Sequence, residues 1–162
     1  MADADPRLDR IVRHMILRSF PRLRRPPITI SWGLDDGLLD YVEEPLEHLI
    51  RVNDCLRGAP RRVLQGGIAH ELCHIDAGLR TGPFQRQLAW QRYFASRWSR
   101  TREERGTEYR VIQLGYGPQL LAFLHYARGL GHSFSREHGL LEPEIRRALA
   151  SISSPAPRPA SR

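Results

Sequence analysis

Apolar positions along the chain change period twice. Leu8, Ile11, Val12, Met15, Ile16 and Phe20 recur at helical spacing behind Asp5 and Pro6, so an amphipathic helix is expected over residues 6–20, with Asp5 as cap and Pro6 in the first turn. Pro21 and Pro26-Pro27 end it. The period then shortens to two. Ile28 to Trp32 reads as a strand, and Asp35-Asp36-Gly37 as a turn into a second strand at Leu38–Val42. Beyond Pro45, His48 to Asn53 reads as a third. Helical spacing returns with Val63, Leu64, Ile68, Leu72 and Ile75, opened by Pro60 and stopped by Gly78. Gly66-Gly67 weakens this helix by about 1 kcal/mol per glycine relative to alanine, unless the pair lets a neighbouring element approach closely.

Downstream, Gln85 to Trp98 carries Leu88, Trp90, Tyr93, Phe94 and Trp98, and its aromatic density suggests a helix pressed onto the core with its rings packing there. Glu104, Glu108, Val111, Ile112 and then Leu120 to Leu124 keep helical spacing around a break at Gly115–Pro118. Residues 129–139 read as a loop, 140–152 hold a last helix, and the Pro-rich segment 153–162 reads as a disordered tail. Helices do not alternate with strands. The expected class is therefore α+β: a small, mostly antiparallel sheet of three or slightly more strands, packed on the central helix, in a single domain spanning residues 1–152.

Composition changes this picture little. With 41% hydrophobic and 27% charged residues, the chain is that of an ordinary globular protein. No apolar run approaches the roughly 18 residues that span a bilayer, and the apolar stripe at residues 11–17 is interrupted by Arg13 and His14, unlike a secretory signal. The reading is cytoplasmic, with no membrane partner. The net charge of +7 invites a nucleic-acid reading, but all 25 basic residues are arginine and they are scattered, which favours a solvated surface over a nucleic-acid partner. Two cysteines, Cys55 and Cys73, make no disulfide framework.

The chemistry lies in His70-Glu71-Leu72-Cys73-His74. Residues four apart share a helix face, so His70 and His74 can close on one metal ion while Glu71 stands beside it as a base. About 0.02 such matches are expected by chance in a chain of this composition. Zinc in a hydrolase takes three protein ligands and a water, so a third ligand must come from elsewhere. The extension by a glycine and a third histidine fails, because Ala77 and Arg80 stand at those positions. Glu104 and Glu108 lie four apart on one helical face, where one can ligate and the other support. Adjacent Glu103 is an alternative ligand, with Glu104 favoured.

His70-Glu71-x-x-His74 followed by Glu104-x-x-x-Glu108 resembles the gluzincin metallopeptidases, and the order of elements over residues 27–127 is similar to their compact minigluzincin members. Glu108 stands where the family has an aspartate. The resemblance implies a zincin-like fold and one Zn2+ per chain, held by His70, His74 and Glu104, with Glu108 orienting a ligand histidine. It implies hydrolysis of a peptide or protein substrate by a metal-activated water, with Glu71 as general base. It also implies a cleft-lining strand, placed at Leu49–Asn53, that pairs with substrate backbone, and a tail able to fold across the cleft. Tyr109, Tyr116, His125, His132 and His138 are the candidate oxyanion donors. The competing class is a non-catalytic module of the same fold that binds a protein or nucleic acid, although a purely structural site has no use for Glu71.

Overall fold

Asp5 starts the first helix and also ties it to the sheet. In the computed structural model, which describes residues 3–44, 46–81 and 83–153, its Oδ1 accepts the Arg7 backbone N–H at 2.8 Å and its Oδ2 accepts the Trp32 indole N–H at 2.9 Å. Those two hydrogen bonds, Trp32's foremost, hold its carboxyl below the usual range. Helix α1 then runs Pro6–Ser19, burying Leu8, Ile11, Val12 and Met15 as the stripe requires.

The sheet holds three main strands, β2 (Ile28–Leu34), β3 (Leu39–Glu43) and β4 (His48–Asn53), plus a two-residue strand β1 (Asp3–Ala4). The spatial order is β1-β2-β4-β3. This corrects the mostly antiparallel expectation: β2 and β4 run parallel, with Ile28 opposite His48 and Trp32 opposite Val52, so the sheet is mixed. The Asp35–Gly37 turn does not fold β3 back onto β2. Burial explains the insertion of β4. Its alternate residues His48, Ile50 and Val52 are buried, which suits an interior strand, whereas no residue of β3 is fully buried, which suits an edge.

Helix α2 spans Arg61–Arg80 and buries Val63, Leu64, Ile68, Leu72 and Ile75 against the sheet and α1. It runs past Gly78, capped where Thr81 donates its backbone N–H to the Gly78 carbonyl. The glycine pair is explained by close approach. A Cβ on Gly66 would stand 2.7 Å from the Gln119 carbonyl carbon of helix α5 (Gly117–Gly129), and one on Gly67 would stand 2.6 Å from the Leu39 side chain. Between α2 and α5 lie α3 (Pro83–Ala95) and α4 (Arg97–Val111). The expected break becomes a wide turn at Ile112–Tyr116, where Gly115 takes φ 88° and redirects the chain.

Helix α3 departs from expectation. None of its described side chains is buried, Phe84 and Phe94 are 74% and 71% exposed, and the helix rests on α4 instead of the core. Trp98 falls outside it, on α4, with the Arg102 guanidinium over its ring. The last helix, α6, covers Glu142–Ser153. The remainder of the tail, and any fold of it across the cleft, lies outside the described residues. Among the described residues no helix is long and apolar enough to cross a membrane.

Candidate metal centre

Residues His70 and His74 stand one turn apart on α2, and α4 crosses beside them to present Glu104. The three ligand atoms form a small triangle. His70 Nε2 lies 3.0 Å from His74 Nε2 and 3.0 Å from Glu104 Oε2, and His74 Nε2 lies 3.6 Å from the same oxygen. Zinc bound tetrahedrally at about 2.0–2.1 Å places its ligand atoms about 3.3 Å apart, so the donor set and its spacing fit that ion. Histidine, histidine and carboxylate is also a donor set that zinc accepts. The three side chains are 12–17% exposed, closed to bulk water but open to a cleft.

Electrostatics favour a cation here. Burial opposes the charged form of His70, but hydrogen bonding to Glu104 and the carboxylates of Glu71, Glu104 and Glu108 outweigh it and raise its pKa to about 9. Burial also works against the charge on Glu104, yet hydrogen bonds from both histidines hold its carboxyl well below the usual range. A proton on the cluster occupies the position of positive charge that a metal would take.

The sequence left Glu103 and Glu104 as alternatives, and the geometry separates their positions. Glu104 completes the triangle, while Glu103 reaches 3.8 Å from His74 Nδ1, the nitrogen facing away from it. At that distance there is no hydrogen bond, and Glu103 stands behind His74 as a carboxylate with its side chain 45% exposed. Glu108 is buried one turn beyond Glu104, and its Oε2 accepts the Leu140 backbone N–H. Burial lifts its pKa to about 7. A Cβ at Gly139, where φ is 143°, would stand 2.6 Å from this carboxylate, so the loop is folded tightly onto it. Glu108 therefore fastens the loop that carries His132 and His138, in addition to standing near His70.

Glu71 is 8% exposed, and burial raises its pKa, as suits a base. It lines two cavities that meet at His70 and Leu39. The first, about 350 Å³, is walled by Leu120, Phe123, Leu124 and Phe134, with His132 and His138 at its side. The second, about 370 Å³, lies beneath α3.

Of the five candidate donors, His132 and His138 line the first cavity, and the other three line neither. Tyr116 is buried against Phe20 with its hydroxyl 3.1 Å from Ser19 Oγ, His125 pairs with Glu142, and Tyr109 is exposed. His138 Nδ1 accepts the Ser135 backbone N–H at 3.3 Å, which leaves Nε2 as the protonated nitrogen of the neutral ring.

The cleft strand also needs correction. β4 is paired on both sides and cannot accept another strand. β3 is the edge, and its Leu39, Asp40 and Tyr41 line the second cavity. Sequence reading missed Tyr93, whose hydroxyl donates to Glu104 Oε1 at 2.7 Å. The signal was the i, i+3, i+4 face of Trp90, Tyr93 and Phe94, which turns to the cleft and not to the core.

Behind His74, Cys73 is only 3% exposed, and burial pushes its thiol up to about 12. Comparisons with family models, curated proteins and solved structures return no match.

Proposed function

We propose that the chain is a zinc-dependent metallopeptidase of gluzincin type on a zincin-like fold, hydrolysing peptide bonds. The observation that carries this reading is the His70, His74 and Glu104 triangle, of zinc-ligand dimensions, with buried Glu71 beside it in a cleft. His70, His74 and Glu104 would hold one zinc ion, which supplies Lewis acidity, lowering the pKa of water toward 7 and polarising a carbonyl.

The remaining work belongs to this chain. Glu71 takes the proton from the attacking water and delivers it to the leaving amine. Nε2 of His138, with His132 nearby, supplies hydrogen-bond donors on the side of the first cavity, where negative charge develops on the carbonyl oxygen. The free edge of β3 pairs with substrate backbone and fixes the peptide across the triangle.

Metal analysis together with Glu71→Gln tests the proposal. One zinc per chain is expected in both proteins, with hydrolysis of an unfolded protein substrate reduced about 100-fold or more in the variant. Absence of bound zinc, or equal hydrolysis by both, would refute it. A non-catalytic binding module predicts zinc without hydrolysis in either protein.

A further inference from the structure

The second cavity differs in chemistry from the first. Its roof is the α3 face formed by Trp90, Tyr93 and Phe94, and Tyr41 of β3 closes one side, with the Tyr41 and Trp90 ring centroids 5.8 Å apart. Phe94, 71% exposed, stands at the mouth. Rings that lie outside the core cluster, on a helix with no buried side chain among those described, do little for stability, so their position over the cleft calls for another account.

Charge supplies it. The chain carries +7 and 25 arginines, yet no arginine lines either cavity among the described residues: Arg86, beside Tyr41, Trp90 and Glu103, is paired with Glu43, and Arg100 lies over the Tyr93 ring. On the reading that zinc is bound, its two charges offset Glu104 and Glu71. Asp40 is engaged by the Arg51 guanidinium across the strand pair at 2.9 Å. Glu103 remains, its side chain 45% exposed at the cavity and 3.8 Å from a histidine that is neutral when it ligates metal.

An apolar side chain entering this space would strip water from Glu103 and give nothing back. A cation would pair with that carboxylate and lie against ring faces that attract positive charge. We propose that the half-cleft beneath α3 is a subsite for a cationic side chain, arginine or lysine, of a peptide substrate, recognised by Glu103 together with Tyr41, Trp90 and Phe94. This rests on the metallopeptidase reading.

Citrulline, a neutral isostere of arginine, isolates the charge. The test uses N-acetylated, C-amidated Ala/Gly decapeptides carrying one arginine or one citrulline at successive positions. Their affinity is measured on the zinc-loaded Glu71→Gln protein, so that no turnover intervenes. At one position arginine should bind about tenfold more tightly than citrulline. Adding Glu103→Gln, with zinc in excess so that both proteins stay fully loaded, should remove most of that preference while citrulline affinity changes little. Adding Trp90→Leu should reduce it. Equal affinity of arginine and citrulline peptides at every position would overturn the subsite and leave the peptidase reading standing. Failure of every peptide to bind the zinc-loaded protein would overturn both. A preference that survives Glu103→Gln undiminished would place the cation elsewhere and overturn the assignment.

Discussion

Substituting Gly66 by alanine should destabilise the protein even though it removes a helix-breaking residue. Alanine is preferred over glycine in a helix interior by about 1 kcal/mol, and that gain is the whole effect where the new methyl meets nothing. Gly106, in the middle of α4 with no atom within 4 Å of its ideal Cβ, is such a site. At Gly66 the methyl would meet the carbonyl carbon of Gln119 at 2.7 Å, its oxygen closer still, and Phe123 Cβ at 2.9 Å. The first two are backbone of a packed helix and cannot rotate away, so α2 and α5 must separate by roughly 1 Å. Overpacking of this kind costs about 1–3 kcal/mol. Taking the upper end and subtracting the propensity gain leaves a net loss of about 2 kcal/mol. For a chain of this length that is a fall in Tm of about 4–8 °C, against a rise of about 2–4 °C for Gly106→Ala. Gly67→Ala meets the movable ends of Leu39 and Phe123 and should fall between them. Thermal and urea melts of the three variants in EDTA, which removes any contribution from metal, provide the check. Gly66→Ala melting at or above the wild-type temperature would refute the close-approach argument.

Other consequences are equally direct. Glu104→Gln should weaken zinc binding by far more than Glu103→Gln, which changes a residue behind His74 and should cost tenfold or less; a reversed order by competition with a chromophoric chelator would exchange their roles. Tyr93→Phe keeps the ring contacts with Trp90 and Phe94 but removes the hydroxyl donated to Glu104 Oε1, and zinc affinity should fall about 10-fold or more with the melting temperature nearly unchanged. Glu144 is bound by Arg105 and by the Leu141 N–H, which hold its pKa near 2 in the fold against about 4.3 when unfolded. A lowered pKa of this kind stabilises above the unfolded value, and that stability is lost as pH falls through the folded one. The stability gap between wild type and Glu144→Gln should therefore be widest above pH 5 and close toward pH 2, as followed by urea melts across that range.

The amphipathic stripe of α1, the strand at His48–Asn53 and the apolar positions of α2 were legible because each is a local pattern with one face to bury. The two histidines were legible for the same reason, being a spacing on one helix. Pairing across the chain was not. The order β1-β2-β4-β3 depends on which strand can be buried on both sides, a comparison among strands and not a property of any one, so the cleft edge was placed on β4 instead of β3. The rings of α3 misled for a related reason. Their i, i+3, i+4 spacing shows that they share a face but not what that face meets, and here it meets a cavity. Glu103 and Glu104 differ by about 100° around α4, and only the crossing of α4 with α2 decides which one points inward. Glu108 required knowledge of where a loop more than thirty residues later comes to rest, since its partner is the backbone of Leu140.

The buried thiol of Cys73 bears on how the site would behave under oxidative stress. Oxidants and alkylating reagents attack thiolate, and a group with a pKa of about 12 that is 3% exposed supplies almost none at neutral pH. Cys73 is also about 100° around the helix from His74 and turned into the core, so its sulfur stands apart from the His70, His74 and Glu104 triangle. Cys55 is exposed on the turn between β4 and α2 and stays open to such reagents. The helix that presents His70 and His74 thus carries a sulfur screened from peroxide while the fold holds.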